Sequence, residues 1–160
     1  MTDAPRIRKA IRALVLDPDD RVLLVRLDFP DSTVWVTPGG GLEQNETPHD
    51  TLIRELDEET GLRNAEIGPE IWTRTHLFPF LSGLWDGQSE RFYLVRSEAF
   101  DPQPRLSWEE LSLEYMTAIR WWTLDELREA EVEFGPTRLP ELVTRLVEEG
   151  PPDSPIDTGV

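Results

Sequence analysis

The sequence contains no cysteine. That excludes a disulfide framework, a thiolate metal site and a cysteine nucleophile. Lysine is nearly absent: Lys9 is the only one, and arginine carries the rest of the positive charge. No stretch approaches the ~18 apolar residues of a membrane span. Met1 to Lys9 holds basic residues, but no apolar run of the signal-peptide kind follows. These absences point to a cytoplasmic location. Positive charge as a whole is scarce, with 16 basic residues against 32 acidic ones and a net charge of −16. A chain of this sign is not expected to bind nucleic acid or an anionic membrane nonspecifically. Small phosphorylated substrates stay open, because a few arginines and a metal ion suffice to hold them.

What is present suits a globular chain. Hydrophobic residues make up 38% and charged residues 30% of 160, enough for one domain with a modest core. The reading places that domain over residues 1–149. The stretch 150–160, Gly-Pro-Pro-Asp-Ser-Pro-Ile-Asp-Thr-Gly-Val, reads as a disordered tail.

Ile11 to Leu16 and Arg21 to Leu27 read as strands around the Asp17–Asp20 turn cluster, forming a hairpin. Phe29 to Thr33 reads as loop and Val34–Val36 as a short strand. Pro38-Gly39-Gly40-Gly41 interrupts regular structure. A helix then starts with Thr47 as N-cap, Pro48 at its first position and Asp50 at its third. Leu52, Ile53 and Leu56 supply its apolar face, and Gly61 its left-handed stop. Glu70 to Leu81 is extended, with Trp72, Arg74, His76, Phe78 and Phe80 on one face. Ser82 to Ser89 reads as loop, Arg91 to Arg96 as strand, Phe100 to Tyr115 as irregular and Ile119 to Trp122 as strand. Thr123 caps a short helix over Leu124–Ala130. Leu139, Leu142, Val143, Leu146 and Val147 mark a last amphipathic helix. Strands and helices without regular βαβ alternation imply an α+β fold or a mixed-sheet sandwich.

The chemistry gathers on the first helix. Glu55, Glu58 and Glu59 stand at i, i+3 and i+4 and share a face. Three carboxylates so placed call for solvent or a cation, and hard oxygen donors suit Mg²⁺ or Mn²⁺. Arg54 is placed to hold a carboxylate bidentately. Taken alone, the cluster also fits a solvated acidic face.

The preceding loop changes that weighing. Gly40, Glu46, Arg54, Glu55, Leu56, Glu58, Glu59, Gly61 and Leu62 spell Gly-x5-Glu-x7-Arg-Glu-U-x-Glu-Glu-x-Gly-U, where U is a bulky aliphatic. The chain therefore resembles the Nudix (MutT-like) hydrolases. Every fixed position of the box is filled. Trp121–Leu127 resembles the family's late strand and short helix.

The resemblance implies the Nudix fold, a mixed β-sheet sandwiched between helices with the box as loop–helix–loop. It also implies a divalent-metal-dependent pyrophosphohydrolase acting on a nucleoside diphosphate linked to X. Candidate substrates are nucleoside triphosphates, ADP-ribose, nucleotide sugars and dinucleoside polyphosphates, with capped RNA disfavoured by the acidic surface. Glu55, Glu58 and Glu59 would bind Mg²⁺ or Mn²⁺, with a carbonyl near Gly40. Arg54 would orient the glutamates, with Glu46 as its partner. Glu58 is the assigned general base, and Glu90, Glu109, Glu110 and Glu114 are the alternatives outside the box. Arg26 and Arg74 are candidate phosphate contacts, against the plainer reading of surface arginines. His76 is either a phosphate contact or a structural hydrogen-bonding group. Phe78, Phe80, Trp85, Trp108 and Tyr115 are candidates to stack on a base, against packing in the core. Many family members are homodimers, which leaves a homodimer open here. The competing function is a non-catalytic Nudix domain that senses a nucleotide or metabolite. An isomerase on the same fold would need a catalytic cysteine, which the chain lacks.

Overall fold

The structure is a computed structural model that describes residues 4–80 and 83–160, with no side chains described at 78–80. One mixed sheet organises it. Its strands are β1 (Ile7–Leu16), β2 (Val22–Phe29), β3 (Ser32–Val36), β4 (Gly39–Gly41), β5 (Ile67–Phe80), β6 (Trp85–Arg96), β7 (Met116–Trp122), β8 (Glu133–Gly135) and β9 (Ile156–Asp157). The helices are α1 (Pro48–Thr60), α2 (Trp108–Ser112), α3 (Leu124–Glu129) and α4 (Leu139–Glu149). The strand order is β8-β3-β2-β1-β6-β5-β9, with β4 paired to β1 and β7 to β2.

Strand β1 is the axis of the sheet. It runs parallel to β6 from Ile7↔Gly87 to Leu16↔Arg96. Its other edge pairs antiparallel with β4 through Ala10, Ile11 and Arg12, and with β2 at Leu16↔Val22. Both faces of its second half are buried, so the sequence there is nearly continuous in apolar residues. Ile11, Ala13 and Val15 pack with Leu23, Tyr93 and Val95 against Leu52 and Leu56 of α1. Leu14 and Leu16 pack on the opposite face with Trp72, Phe92, Leu94 and Leu142, Val143 and Leu146 of α4. The mixed sheet lies between helices, as the resemblance implied. Ile53 does not share the buried face of α1: it is 45% exposed, because one residue of helix turns it about 100° away from Leu52.

Several boundaries differ from the sequence reading for one reason: pairing with a neighbour extends a strand through residues of loop-like composition. The glycine run 39–41 becomes β4 because β1 offers it a free edge. Phe29 ends β2, and Ser32 already begins β3. The expected loop Ser82–Ser89 is strand from Trp85, paired with β5. Trp108–Ser112 is helical, with a complete capping box between Ser107 and Glu110.

The expected disorder over 150–160 is corrected. Ile156–Asp157 forms β9, parallel to Trp72–Thr73 of β5. The Thr158 amide donates to the Thr73 carbonyl at 2.9 Å, and the Thr137 amide to that of Val160 at 3.2 Å. Ile156 adds its side chain to the α4-side core. An open sheet edge and one apolar side chain order a segment of disorder-like composition.

Candidate active site

Helix α1 is positioned at both ends. The Asp50 amide donates to Thr47 Oγ1 at 3.1 Å, and the Thr47 amide to the Asp50 carboxylate at 3.0 Å, a reciprocal cap. Gly61 closes the helix with φ 79°. A Cβ there would come within 2.2 Å of the Gln103 carbonyl oxygen, so backbone conformation and close approach both require glycine. Helix and sheet then bring the box together in three dimensions.

Arg54 is the hub. It grips Glu46 bidentately, Nε to Oε2 at 2.8 Å and Nη2 to Oε1 at 2.9 Å. Its Nη1 donates to Glu55 at 2.9 Å and to Glu58 at 3.4 Å, and Nη2 to the Gly41 carbonyl at 3.3 Å. The hydrogen bond from Arg54 holds the Glu46 carboxyl down to about 2. One guanidinium therefore ties the box loop at Gly41 and Glu46 to two of the three box glutamates.

Glu55 and Glu59 are both 7% exposed, and each carboxyl acts on the other. Glu59 also accepts the Gly39 amide at 3.2 Å. Burial pushes both carboxyls upward, Glu59 the further because it also faces the Glu55 charge. Arg54 opposes the shift of Glu55, and Arg12 that of Glu59. Gly40 lies against this pair: a Cβ would fall 2.4 Å from Glu55 Oε1. Two buried hard-oxygen donors short of positive charge, beside a backbone loop without side chains, fit a divalent cation.

Glu58 is turned elsewhere. It accepts from Arg54 and from Arg105 Nη2 at 3.3 Å, with its side chain 20% exposed. Among the described residues no three His, Asp or Glu side chains converge as a ligand set. The expected triad is thus present as a pair plus an arginine-held third member.

A second charged group adjoins the box on the sheet. Glu90, 3% exposed, accepts from Arg12 Nε and Arg74 Nη1, each at 2.7 Å, and lies 3.5 Å from His76 Nε2. Burial pushes the Glu90 carboxyl up, but Arg12, His76 and Arg74 outweigh it and hold it far below the usual range. Arg12 also donates to the Gly39 carbonyl at 3.1 Å. Arg74 is not a surface arginine, its side chain being 12% exposed. Arg26 is 44% exposed and paired with Asp28 at 3.1 Å. Of the alternative bases, Glu90 is committed to these cations and Glu110 to its helix cap. Glu109 is exposed on α2, and the charge of Glu114 acts on both Glu55 and Arg8. The side chains of Phe78 and Phe80 lie outside the described residues.

Sequence reasoning missed Arg8 and Arg12. Arg8 donates to the neutral Gln88 at 3.0 Å and lies against Gly41, where a Cβ would meet its guanidinium at 2.5 Å. Burial and the neighbouring Arg12 lower its affinity for its proton. The available signal was the spacing of Arg8, Ala10 and Arg12, which share one face of β1.

The comparisons with known proteins agree with this geometry. The sequence matches the family model of the NUDIX domain over residues 6–143. It is 31% identical over 144 residues to Nudix hydrolase 25 of Arabidopsis thaliana, covering 81% of this chain and 80% of that one. It is 30% identical over 150 residues to an RNA pyrophosphohydrolase of Gluconacetobacter diazotrophicus, covering 84% and 89%. The NUDIX domain of Shewanella oneidensis NrtR, solved with ADP ribose, superposes with a TM-score of 0.66 at 19% identity, over 91% of this chain and 90% of that one. A domain that places a filled Nudix box on a sheet of this topology is of the Nudix hydrolase class. The chain belongs to the Nudix hydrolase family.

Proposed function

We propose that the protein is a divalent-metal-dependent pyrophosphohydrolase that splits the diphosphate bridge of a nucleoside diphosphate linked to X. The observation that carries this reading is the buried Glu55–Glu59 pair, short of positive charge, set beside Gly40 and oriented through Arg54. Glu55 and Glu59 would hold Mg²⁺ or Mn²⁺ with the carbonyl near Gly40, and Glu58 would join them. The bound ion would offset diphosphate charge and lower the pKa of a water. The protein's own residues do the positioning. Arg54 aims Glu55 and Glu58. Arg12 holds the Gly39 carbonyl while Glu59 holds the Gly39 amide, which fixes the loop facing the pair. Among the described residues Arg8, half-buried, hydrogen-bonds only to the neutral Gln88, which suits it to receive a phosphate oxygen. Glu58, the most exposed of the three box glutamates, is the assigned base for the attacking water. Arg74 and His76 hold Glu90, which in turn holds Arg12 against the Gly39 carbonyl.

The substrate panel takes nucleoside triphosphates, ADP-ribose, nucleotide sugars and dinucleoside polyphosphates from the family resemblance, and adds RNA from the name of the Gluconacetobacter diazotrophicus relative. The net charge of −16 favours the small members, since a long polyanion meets like charge over most of the surface. Product analysis with Mg²⁺ and with Mn²⁺, beside Glu58→Gln and Glu59→Gln, tests the reading. Metal-dependent cleavage lost in both variants supports it. Binding without turnover on every member would favour the non-catalytic sensor instead.

A further inference from the structure

The last turn of α1 carries Asp57, Glu58 and Glu59 in succession and no basic residue. This is the negative end of the helix dipole, where cations are favoured and carboxylates are not. The compensating charge comes from 48 positions further along the chain. Arg105 Nε donates to Asp57 Oδ2 at 2.7 Å, and its Nη2 to Glu58 Oε1 at 3.3 Å. The segment that bears Arg105 is docked on α1 through its backbone. The Gln103, Arg105 and Leu106 amides donate to the Thr60, Asp57 and Glu58 carbonyls at 3.1, 3.3 and 3.2 Å, carbonyls that a helix end leaves short of partners. The segment is anchored on both sides of Arg105. The Trp121 indole donates to the Phe100 carbonyl at 2.8 Å, and Leu106 packs against the cluster of Val25, Val36, Leu111 and Met116.

Glu58 therefore sits between two guanidinium groups. Arg54 takes its Oε2 at 3.4 Å and Arg105 its Oε1 at 3.3 Å. Among the described residues Arg105 bonds Glu58 alone of the three box glutamates, whereas Arg54 bonds Glu55 as well. Both contacts to Glu58 are long for charge-assisted bonds. The hold is one that a divalent cation can contest, while the backbone docking keeps Arg105 in reach.

We propose that Arg105 is a positioning residue that limits how far Glu58 joins the metal held by Glu55 and Glu59, and so keeps this carboxylate for the attacking water. This rests on the pyrophosphohydrolase reading. It assigns control of a box glutamate to a residue outside the box. The signature is a pair of opposite effects. Freed from Arg105, Glu58 adds to the ligand set, so the metal binds more tightly while turnover slows. Removing a residue that only stabilised the end of α1 would weaken both together.

The test is Mn²⁺ binding, read from the electron paramagnetic resonance of the free ion, beside kcat and KM on the substrate panel. Arg105→Ala is expected to bind Mn²⁺ about threefold more tightly, the scale of a partly exposed ion pair. Its kcat should fall about tenfold, a fraction of what a general base supplies, with KM within about twofold of wild type. Arg63→Ala is the control for charge. Arg63 Nε lies 3.4 Å from Asp57 Oδ1 with its side chain 75% exposed, so this variant removes an equal charge from the same helix end through Asp57 instead of Glu58. It should bind Mn²⁺ as wild type does. In a Glu58→Gln background, Arg105→Ala should no longer alter Mn²⁺ affinity. Arg105→Lys keeps the charge without the fork; it should shift both quantities in the same directions and carries the test if Arg105→Ala fails to fold. Weaker or unchanged Mn²⁺ binding in Arg105→Ala, an equal gain in Arg63→Ala, or a gain that persists with Glu58→Gln overturns the role of Arg105. Tighter binding without turnover by wild type on any panel member keeps the hold on Glu58 and removes the hydrolase. Mn²⁺-dependent turnover that responds to neither Arg105 variant does the reverse.

Discussion

Arg12 joins the two charged groups of the site: its Nε donates to Glu90 at 2.7 Å and its Nη1 to the Gly39 carbonyl at 3.1 Å. Glu59 takes the amide of the same glycine. The box loop is therefore held from the sheet and from the helix at one residue. Removing the Glu90 charge takes from Arg12 and Arg74 the carboxylate that both of them bond. Glu90→Ala is expected to destabilise the protein by about 3–5 kcal/mol, read by urea unfolding. A loss within that of an average surface substitution, about 0.5 kcal/mol, would refute the role of Glu90 as a structural anchor.

Glu59→Gln should separate stability from activity. Burial raises the Glu55 and Glu59 carboxyls, so their contribution to stability is present below the ordinary carboxylate value and lost as pH rises through the raised ones. At neutral pH the ionised pair works against the fold. Replacing Glu59 with the neutral amide is expected to raise Tm without metal by a few degrees, equivalent to about 1 kcal/mol. It should also abolish turnover and the Tm rise expected of wild type with Mg²⁺. A lower Tm in metal-free buffer would contradict the assignment.

Acid should loosen the box loop in the opposite sense. The Glu46 carboxyl is held to about 2 by Arg54. Its contribution is present above the ordinary carboxylate value and lost as pH falls towards 2. Scanning Tm from pH 6 to pH 2 for wild type and Glu46→Gln should show two curves that converge in acid. Parallel curves would mean that the Arg54–Glu46 pair contributes nothing to folding.

Gly40→Ala tests the cradle. The added methyl would fall 2.4 Å from Glu55 Oε1, and the carboxylate can swing aside more cheaply than the backbone. Expected is a loss of about 10- to 100-fold in metal affinity or kcat/KM, the scale for displacing a metal-site group, with Tm nearly unchanged. A variant of wild-type activity would show that Glu55 works from another position.

The edge strand can be tested by deleting residues 154–160. This opens the β5 edge and uncovers part of the α4-side core, at a cost of about 1–3 kcal/mol. Light scattering should also show more association through the open edge. Unchanged stability would make β9 a passive contact.

The box was legible because its spacing is local: a helix phases Glu55, Glu58 and Glu59, and Thr47, Pro48 and Gly61 mark its ends by side-chain chemistry. The strands with strong apolar alternation were legible too. The rest depended on partners far away in sequence. Gly39–Gly41 is a strand only because β1 has an edge beside it, and Ile156–Asp157 only because β5 does. Arg74 reads like any surface arginine until Glu90 is seen across the ladder.

Strand β1 acts as a common ruler for these distant parts. Its odd positions Ile11, Ala13 and Val15 seat α1, and its even positions Arg8 and Arg12 reach Gln88 and Glu90. Its backbone edge holds Gly39–Gly41 in place. A slip of one residue would turn both arginines under α1 and push two aliphatics into the charged group. Foldability and chemistry therefore share a single register along ten residues. Sequence drift in this strand has no route to a well-folded but misaligned enzyme, because the same error that disarms the site also unseats the helix that carries it.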